Sequence, residues 1–284
     1  MPIDYDALKA VAIEDRPVRY SERDVMLYAL GVGFGGDPLD SSELGYVRES
    51  PTLAVTPTFA TVLLPDDFLA ECGWGDLHVL YGSQRLELYR PLPAAADLRV
   101  NCRVVAAYDR GGDRGSRILV QCEARLAKDD AALFSLGSTI VAPRDENHGP
   151  GFGDAPAPHV LPGRTPDLSC ELSSRRDQAL LFRLSAGRGA VHTDPEVARS
   201  AGFERPVLQA RCVAGLACRA ILRTICEYDY TLVRSFDVRF VGAVYPGETL
   251  VTDMWQERNV VSFRSSVKER GVVVLDNGKC TLAA

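Results

Sequence analysis

Hydrophobic and polar positions alternate with a period of two along Gln84–Arg90 and again along Ser235–Phe240. That pattern predicts strands with one face buried and one face polar. Leu98–Ala107, Arg117–Ala127, Leu133–Ala142, Thr249–Gln256, Val260–Val267 and Gly271–Leu282 read as further strands. Asp109–Gly115 and Tyr245–Leu250 carry the glycine, proline and aspartate of tight connections between them. Two stretches break the period of two. Ser21–Leu30 reads as a capped helix ended by Gly31, and the run after Pro206, rich in Ala, Cys and Leu, is apolar around most of a helical circumference. The second helix is therefore expected in the middle of the fold. Gly31, Gly33, Gly35 and Gly36 form a loop without GxGxxG or GxxxxGK spacing, and Thr58–Leu64 is short and apolar.

The stretch Leu180–Leu222 orders four signals. An apolar run, Leu180–Leu184, leads to a loop of small residues, Ser185–Val191, that His192 closes. Asp194-Pro195 then opens a short helix, with Asp at the N-cap and Pro at the first helical position. Gly202-Phe203 ends that helix, and Pro206 starts the path into the apolar one. A loop histidine aimed at a buried helix N-terminus suits chemistry on a carbonyl group. The histidine moves a proton; the helix start offers free N–H groups and the positive end of its dipole.

In this stretch Arg183, Leu184, Ser185, His192, Asp194, Pro195, Ala201, Gly202, Phe203, Pro206, Leu208 and Cys212 match a motif that reads roughly YRLSGDxNPLHxDP, then AGFxxPILHGLC. The chain thus resembles the MaoC-like (R)-specific enoyl-CoA hydratases and 3-hydroxyacyl dehydratases. It departs from them at several positions. The family's catalytic Asp falls on Gly187 and its Asn on Gly189; Pro and Leu become Ala190 and Val191, and HGL becomes Gln209-Ala210-Arg211. In the first half, Tyr81–Gln84 stands where the family commonly has HGEQ. The resemblance implies an α+β double hot-dog fold, in which two antiparallel sheets each wrap round an apolar helix. It also implies an acyl-CoA substrate, His192 as catalytic base, and the Ala210 N–H as a donor to the thioester oxygen.

The two halves echo each other at an offset of roughly 150 residues, the mark of a duplicated unit. Tyr28–Gly33 answers Phe182–Gly187, each half carries an Asp-Pro pair, and Leu86-Glu-Leu answers Phe236-Asp-Val. Between them, Pro143–Pro166 is dense in proline and glycine and reads as a linker. The expected units are residues 1–142, degenerate and suited to accommodating substrate; a linker over 143–170; and 171–284 with the hydratase-like motif. The first half has no histidine near its glycine loop. It is therefore expected to bind more than it reacts, with helix cover lost over Gly31–Val55 and room for an acyl tail.

A chain of 284 residues, 46% hydrophobic and 25% charged, is long enough for one large core or two modest ones. Its net charge of −6 argues against a sequence-independent hold on nucleic acid, and no segment approaches a membrane span. The eight cysteines show no CxxC pair or metal spacing and read as reduced, buried hydrophobes of a cytoplasmic protein. No cofactor is expected, since neither a metal cluster nor a dinucleotide fingerprint is present. A homodimer, or a heteromer with another hot-dog protein, is expected by resemblance.

Four histidines are present. His148 and His159 fall in the linker and read as solvated, His78 as structural. Arg211 and Gln209 have two readings: groups that bind a carboxylate or hydroxyl on a polar acyl group, or an exposed helix-end arginine and a surface amide. Arg188, permanently protonated, reads as a substrate-binding group that stabilises charge but cannot act as a base. Glu87 and Asp237 read as solvent-facing. The function is that of a hydratase or dehydratase on an acyl-CoA thioester, modified or lost because Gly187 cannot transfer a proton. The alternative is a silent acyl-thioester-binding subunit, or partner of an active hydratase. A thioesterase fits less well, because Arg211–Cys226 holds no carboxylate.

Overall fold

The computed structural model describes residues 3–49, 52–64, 80–111, 114–143, 145, 149–186 and 188–283. The first half holds α1 (Tyr5–Lys9), β1 (Ala12–Tyr20), α2 (Glu22–Gly31), α3 (Ser41–Leu44), β2 (Leu80–Leu88), β3 (Ala96–Asp109), β4 (Ser116–Leu126) and β5 (Ala132–Ala142). The second holds β6 (Leu168–Ser173), α4 (Gln178–Phe182), α5 (Pro195–Ser200), α6 (Ala210–Thr224), β7 (Val233–Phe240), β8 (Thr249–Glu257), β9 (Val260–Val267) and β10 (Val272–Leu282). All ten strands join one antiparallel sheet in the order β1-β3-β4-β5-β2-β7-β10-β9-β8-β6. Each half therefore uses the same internal order, and the halves meet through their second strands. Leu86 of β2 lies opposite Phe236 of β7, so the two echoing triplets meet at their first residues across the seam and run from there in opposite directions. Joining the halves this way satisfies two edges that two separate sheets would leave open.

Helix α6 lies inside the sheet's curve and is buried without a break from Arg211 to Leu222. It packs on β6, β7, β8 and a 3-10 turn, Pro57–Val62. That turn stands in the first half where the second has α6; residues 65–79 lie outside the described residues. Between Gly31 and Val55 the described residues carry only the four-residue α3, not a long buried helix. The glycine loop serves packing: Gly33 takes φ +90°, and a Cβ there would come within 2.8 Å of Arg219 Nη1. Arg219 itself, on α6, bonds Glu43 of α3 at 2.6 and 2.9 Å, and Tyr228 Oη donates to the same carboxylate oxygen at 3.2 Å.

Four expectations are corrected. The two outermost strands, β1 and β6, escape the periodicity. β1 is an edge with mostly exposed polar residues and a register shift at Ile13/Arg16, while β6 begins at Leu168, inside the stretch assigned to the linker. The cysteines are not all reduced. Cys102 and Cys122, register partners on β3 and β4, form a disulfide with Cα atoms 4.1 Å apart, a separation that adjacent antiparallel strands supply. Cys170, Cys212, Cys218, Cys226 and Cys280 are free and buried, and Cys72 lies outside the described residues. His159 is not a solvated loop residue: its Nε2 lies 2.8 Å from Ser262 Oγ, and burial lowers its pKa. Asp237 is held in the sheet and largely withdrawn from solvent, as described below. His78 and His148 lie outside the described residues. Among the described residues, no helix is long and apolar enough to cross a membrane.

Candidate active site

Two local devices present His192. It ends a 3-10 turn, Ala190–His192, and the Asp194 side chain caps the following α5 by accepting from the N–H groups of Glu196 and Val197 at 2.8 and 3.2 Å. That use as a cap, expected from the sequence, commits the Asp194 Oδ1 to backbone donors. The imidazole Nδ1 lies 2.9 Å from the Val207 carbonyl oxygen. A carbonyl only accepts, so Nδ1 must carry the proton and Nε2 must present its lone pair. Burial lowers the His192 pKa below the usual imidazole range; the Val207 bond opposes this, and the nearby Arg211 charge adds to it. The shift favours the neutral ring, the form that can accept a proton.

Val207 leads directly into α6. Gln209 is its N-cap residue, and its amide donates to the Ala179 carbonyl at 3.1 Å, which ties α4 to the helix start. The surface-amide reading is therefore wrong, because the side chain is buried. Ala210, the first helical residue, has no positive φ, and its N–H belongs to the first turn, where no intrahelical carbonyl is available. Arg211 is buried rather than exposed. Its Nη1 donates to the Thr61 carbonyl at 3.0 Å and its guanidinium lies 5.1 Å over the Tyr81 ring. The fold thus gathers His192, Ala210 and Arg211 with Tyr81 and Thr61 of the first half. It turns Gln209 towards α4 and leaves Arg188 exposed on the loop.

Gly187 lies outside the described residues. At Gly189, a Cβ would sit 3.6 Å from His192 Cδ2 and 3.9 Å from Nε2, in ordinary contact. A side chain at position 189 would therefore lie beside the basic nitrogen, where this chain supplies none. Sequence reasoning missed Tyr81 and Thr61 as partners of the site. The signal was Arg211 itself, a cation at a helix position whose neighbours are all apolar, which demands a polar partner from another element. Next to the loop, a cleft of about 390 Å³ is lined by Ser185 of the motif and by Phe59, Val62 and Leu63 of the first half, with the charged Arg16, Arg19 and Asp24 at its β1–α2 side. The Ser185 hydroxyl is buried with no hydrogen-bond partner.

Residues 159–278 match the MaoC like domain family, and residues 18–142 match the MFE-2 hydratase 2 N-terminal domain. The peroxisomal enoyl-CoA hydratase 2 of Arabidopsis thaliana is 34% identical over 95% of this chain and 93% of its own length. The enoyl-CoA hydratase ChsH3 of Mycobacterium tuberculosis is 33% identical over 96% of this chain and 97% of its own. Among solved structures, a MaoC-like dehydratase from Phytophthora capsici superposes with a TM-score of 0.87 at 29% identity, covering 99% of this chain and 98% of that one.

Proposed function

Because the chain belongs to the MaoC-like enoyl-CoA hydratase and 3-hydroxyacyl-thioester dehydratase family, we propose that it adds water reversibly across the double bond of a 2-enoyl thioester of CoA. The observation that carries this reading is the single hydrogen bond from His192 Nδ1 to Val207, which leaves Nε2 basic beside the start of α6. In the forward direction, Nε2 takes a proton from water as its oxygen bonds to C3. The C2–C3 π electrons move towards the thioester carbonyl, and the Ala210 N–H stabilises the charge gathering on its oxygen. The imidazolium so formed is the proton source for C2, because Gly187 and Gly189 bring no second acid. The acyl chain occupies the cleft between Ser185 and the first-half residues Phe59, Val62 and Leu63.

Loss of the enoyl absorbance of crotonyl-CoA and of longer enoyl-CoAs tests this reading. His192→Ala should lower the rate on the order of 10²-fold or more, the usual worth of a positioned base. Gly187→Asp with Gly189→Asn should raise it, since a side chain at 189 meets Nε2 without a clash. The same two glycines favour a second reading, a silent acyl-thioester-binding subunit. Saturable binding of crotonyl-CoA without turnover, unchanged by His192→Ala, would select it. A cytoplasmic, dimeric protein completes the proposal. The five free buried cysteines and the outward edges of β1 and β6 support it, while the Cys102–Cys122 disulfide counts against a reducing compartment and the Arabidopsis relative is peroxisomal by name. Sedimentation at a single 30.9 kDa species would remove the dimer.

A further inference from the structure

The convex face of the sheet, turned away from α6 and His192, holds a second polar cleft that the hydration chemistry does not use. Side chains alternate along β7: Phe236 and Val238 are buried with the core, so Asp237 and Arg239 point to the other face. Arg85 of β2, Arg117 of β4 and Lys279 of β10 stand on that same face. Over them runs the proline-rich segment, held by Arg85 Nη2 on the Ala157 carbonyl at 2.5 Å and by Asn277 Nδ2 on the His159 carbonyl at 2.8 Å. Between strap and sheet lies a cleft of about 310 Å³.

Its charge is one-sided. Arg85, Arg117, Arg239 and Lys279 line it against a single carboxylate, Asp237. Among the described residues, none of the four cations is within ion-pairing distance of a carboxylate, and the Arg117 Nε is buried with no hydrogen-bond partner. Arg110 and Arg114 lie near enough for Arg117 and Arg239 to bear on the Arg110 guanidinium, whose pKa is lowered by burial first and by these like charges next. In a chain of net charge −6, such a concentration of cations is not an average surface. An adjoining cleft of about 640 Å³ shares Arg85, Asp237 and Lys279 but adds Glu87 and Asp154 against Arg234, so its charges balance and the excess of positive charge is confined to the first.

We propose that this cleft, at the seam between the two halves and under the connecting strap, binds a small anion carrying two or more phosphate charges. Guanidinium forks match phosphate oxygens two at a time, and several cations around one carboxylate leave a surplus that a single carboxylate ligand would not neutralise. The same chemistry is available from a free nucleotide or from the nucleotide end of a CoA thioester. The site does not rest on the reading of His192.

Calorimetric titration of the full-length protein with inorganic pyrophosphate, in a buffer free of phosphate, tests it. The expected result is saturable binding that weakens as salt is raised. Arg239→Gln combined with Lys279→Gln should weaken it on the order of tenfold or more, with circular dichroism unchanged. Asp237→Asn, which removes the one like charge, should tighten it several-fold, a gain that misfolding cannot mimic. Competition then identifies the source: adenosine diphosphate displacing pyrophosphate while crotonyl-CoA does not marks a free nucleotide, and displacement by crotonyl-CoA in the His192→Ala protein marks the thioester. No heat of binding for pyrophosphate or adenosine diphosphate at low salt, or binding unmoved by both sets of substitutions, would overturn the proposal.

Discussion

Arg211 sits where the motif has leucine, and its charge works on the histidine two elements away. A buried guanidinium near an imidazole disfavours the protonated ring, so Arg211 adds to the lowering of the His192 pKa that burial begins. Replacing Arg211 with leucine should therefore move the His192 titration, followed by NMR and assigned with His192→Ala, to higher pH. Any turnover should lose its rate on the acid side at correspondingly higher pH, because more of the base is then protonated. An unmoved titration would mean that the two groups do not feel each other. The sequence disclosed His192 through its neighbours: the loop of small residues before it and Asp194-Pro195 after it are local signals. It did not disclose which ring nitrogen is free, because that depends on the Val207 carbonyl, fifteen residues away and across a turn.

At the scale of elements, α6 was legible because it is apolar on every side, a pattern that only a central position satisfies. Its polar exceptions were not legible. Arg219 and Glu43 are 176 residues apart, and no local pattern joins them. Both are buried, with side-chain exposures of 10% and 3%, and Tyr228 shares the carboxylate. Removing one partner of such a pair leaves an uncompensated buried charge, worth about 3–5 kcal/mol. Glu43→Ala should lower the unfolding free energy from urea denaturation by that order, and Glu43→Ala with Arg219→Met should recover much of it. Gly215 gives a second test. Alanine in a helix interior ordinarily gains about 1 kcal/mol over glycine. Here, however, the added Cβ would lie 2.3 Å from Val32 Cγ1 and 3.0 Å from the Tyr28 hydroxyl, both in the core. Val32 has a stiff branched side chain, so the backbone must give and the clash outweighs the helix preference. Gly215→Ala should destabilise by about 1–3 kcal/mol on thermal denaturation.

For the whole molecule, the duplicated order of strands was partly readable, because the echo of Leu86-Glu-Leu in Phe236-Asp-Val marks the two equivalent strands, which meet at the seam with Leu86 opposite Phe236. The position of Asp237 was not. Alternation says only that it faces away from the core, and away from the core normally means towards water; here the strap from the linker covers it. Its pKa is pushed up to about 6, first by burial, with Arg85 and then Lys279 pulling it down and Glu87 pushing it up. The sign for stability follows. A carboxyl whose folded pKa is raised favours the folded state when protonated, so its contribution is full below the unfolded value of about 4 and is lost as pH rises towards about 6. Above that range the fold carries a charged, half-desolvated carboxylate that asparagine would not impose. Asp237→Asn should accordingly be more stable than the parent at pH 7.5 by on the order of 1–3 kcal/mol and indistinguishable from it near pH 4. Urea denaturation of both proteins at the two pH values, without phosphate in the buffer, measures the difference. Because every other carboxylate titrates alike in the two proteins, the change in that difference isolates Asp237. Equal stabilities at pH 7.5 would show that Arg85 and Lys279 already offset its burial in full.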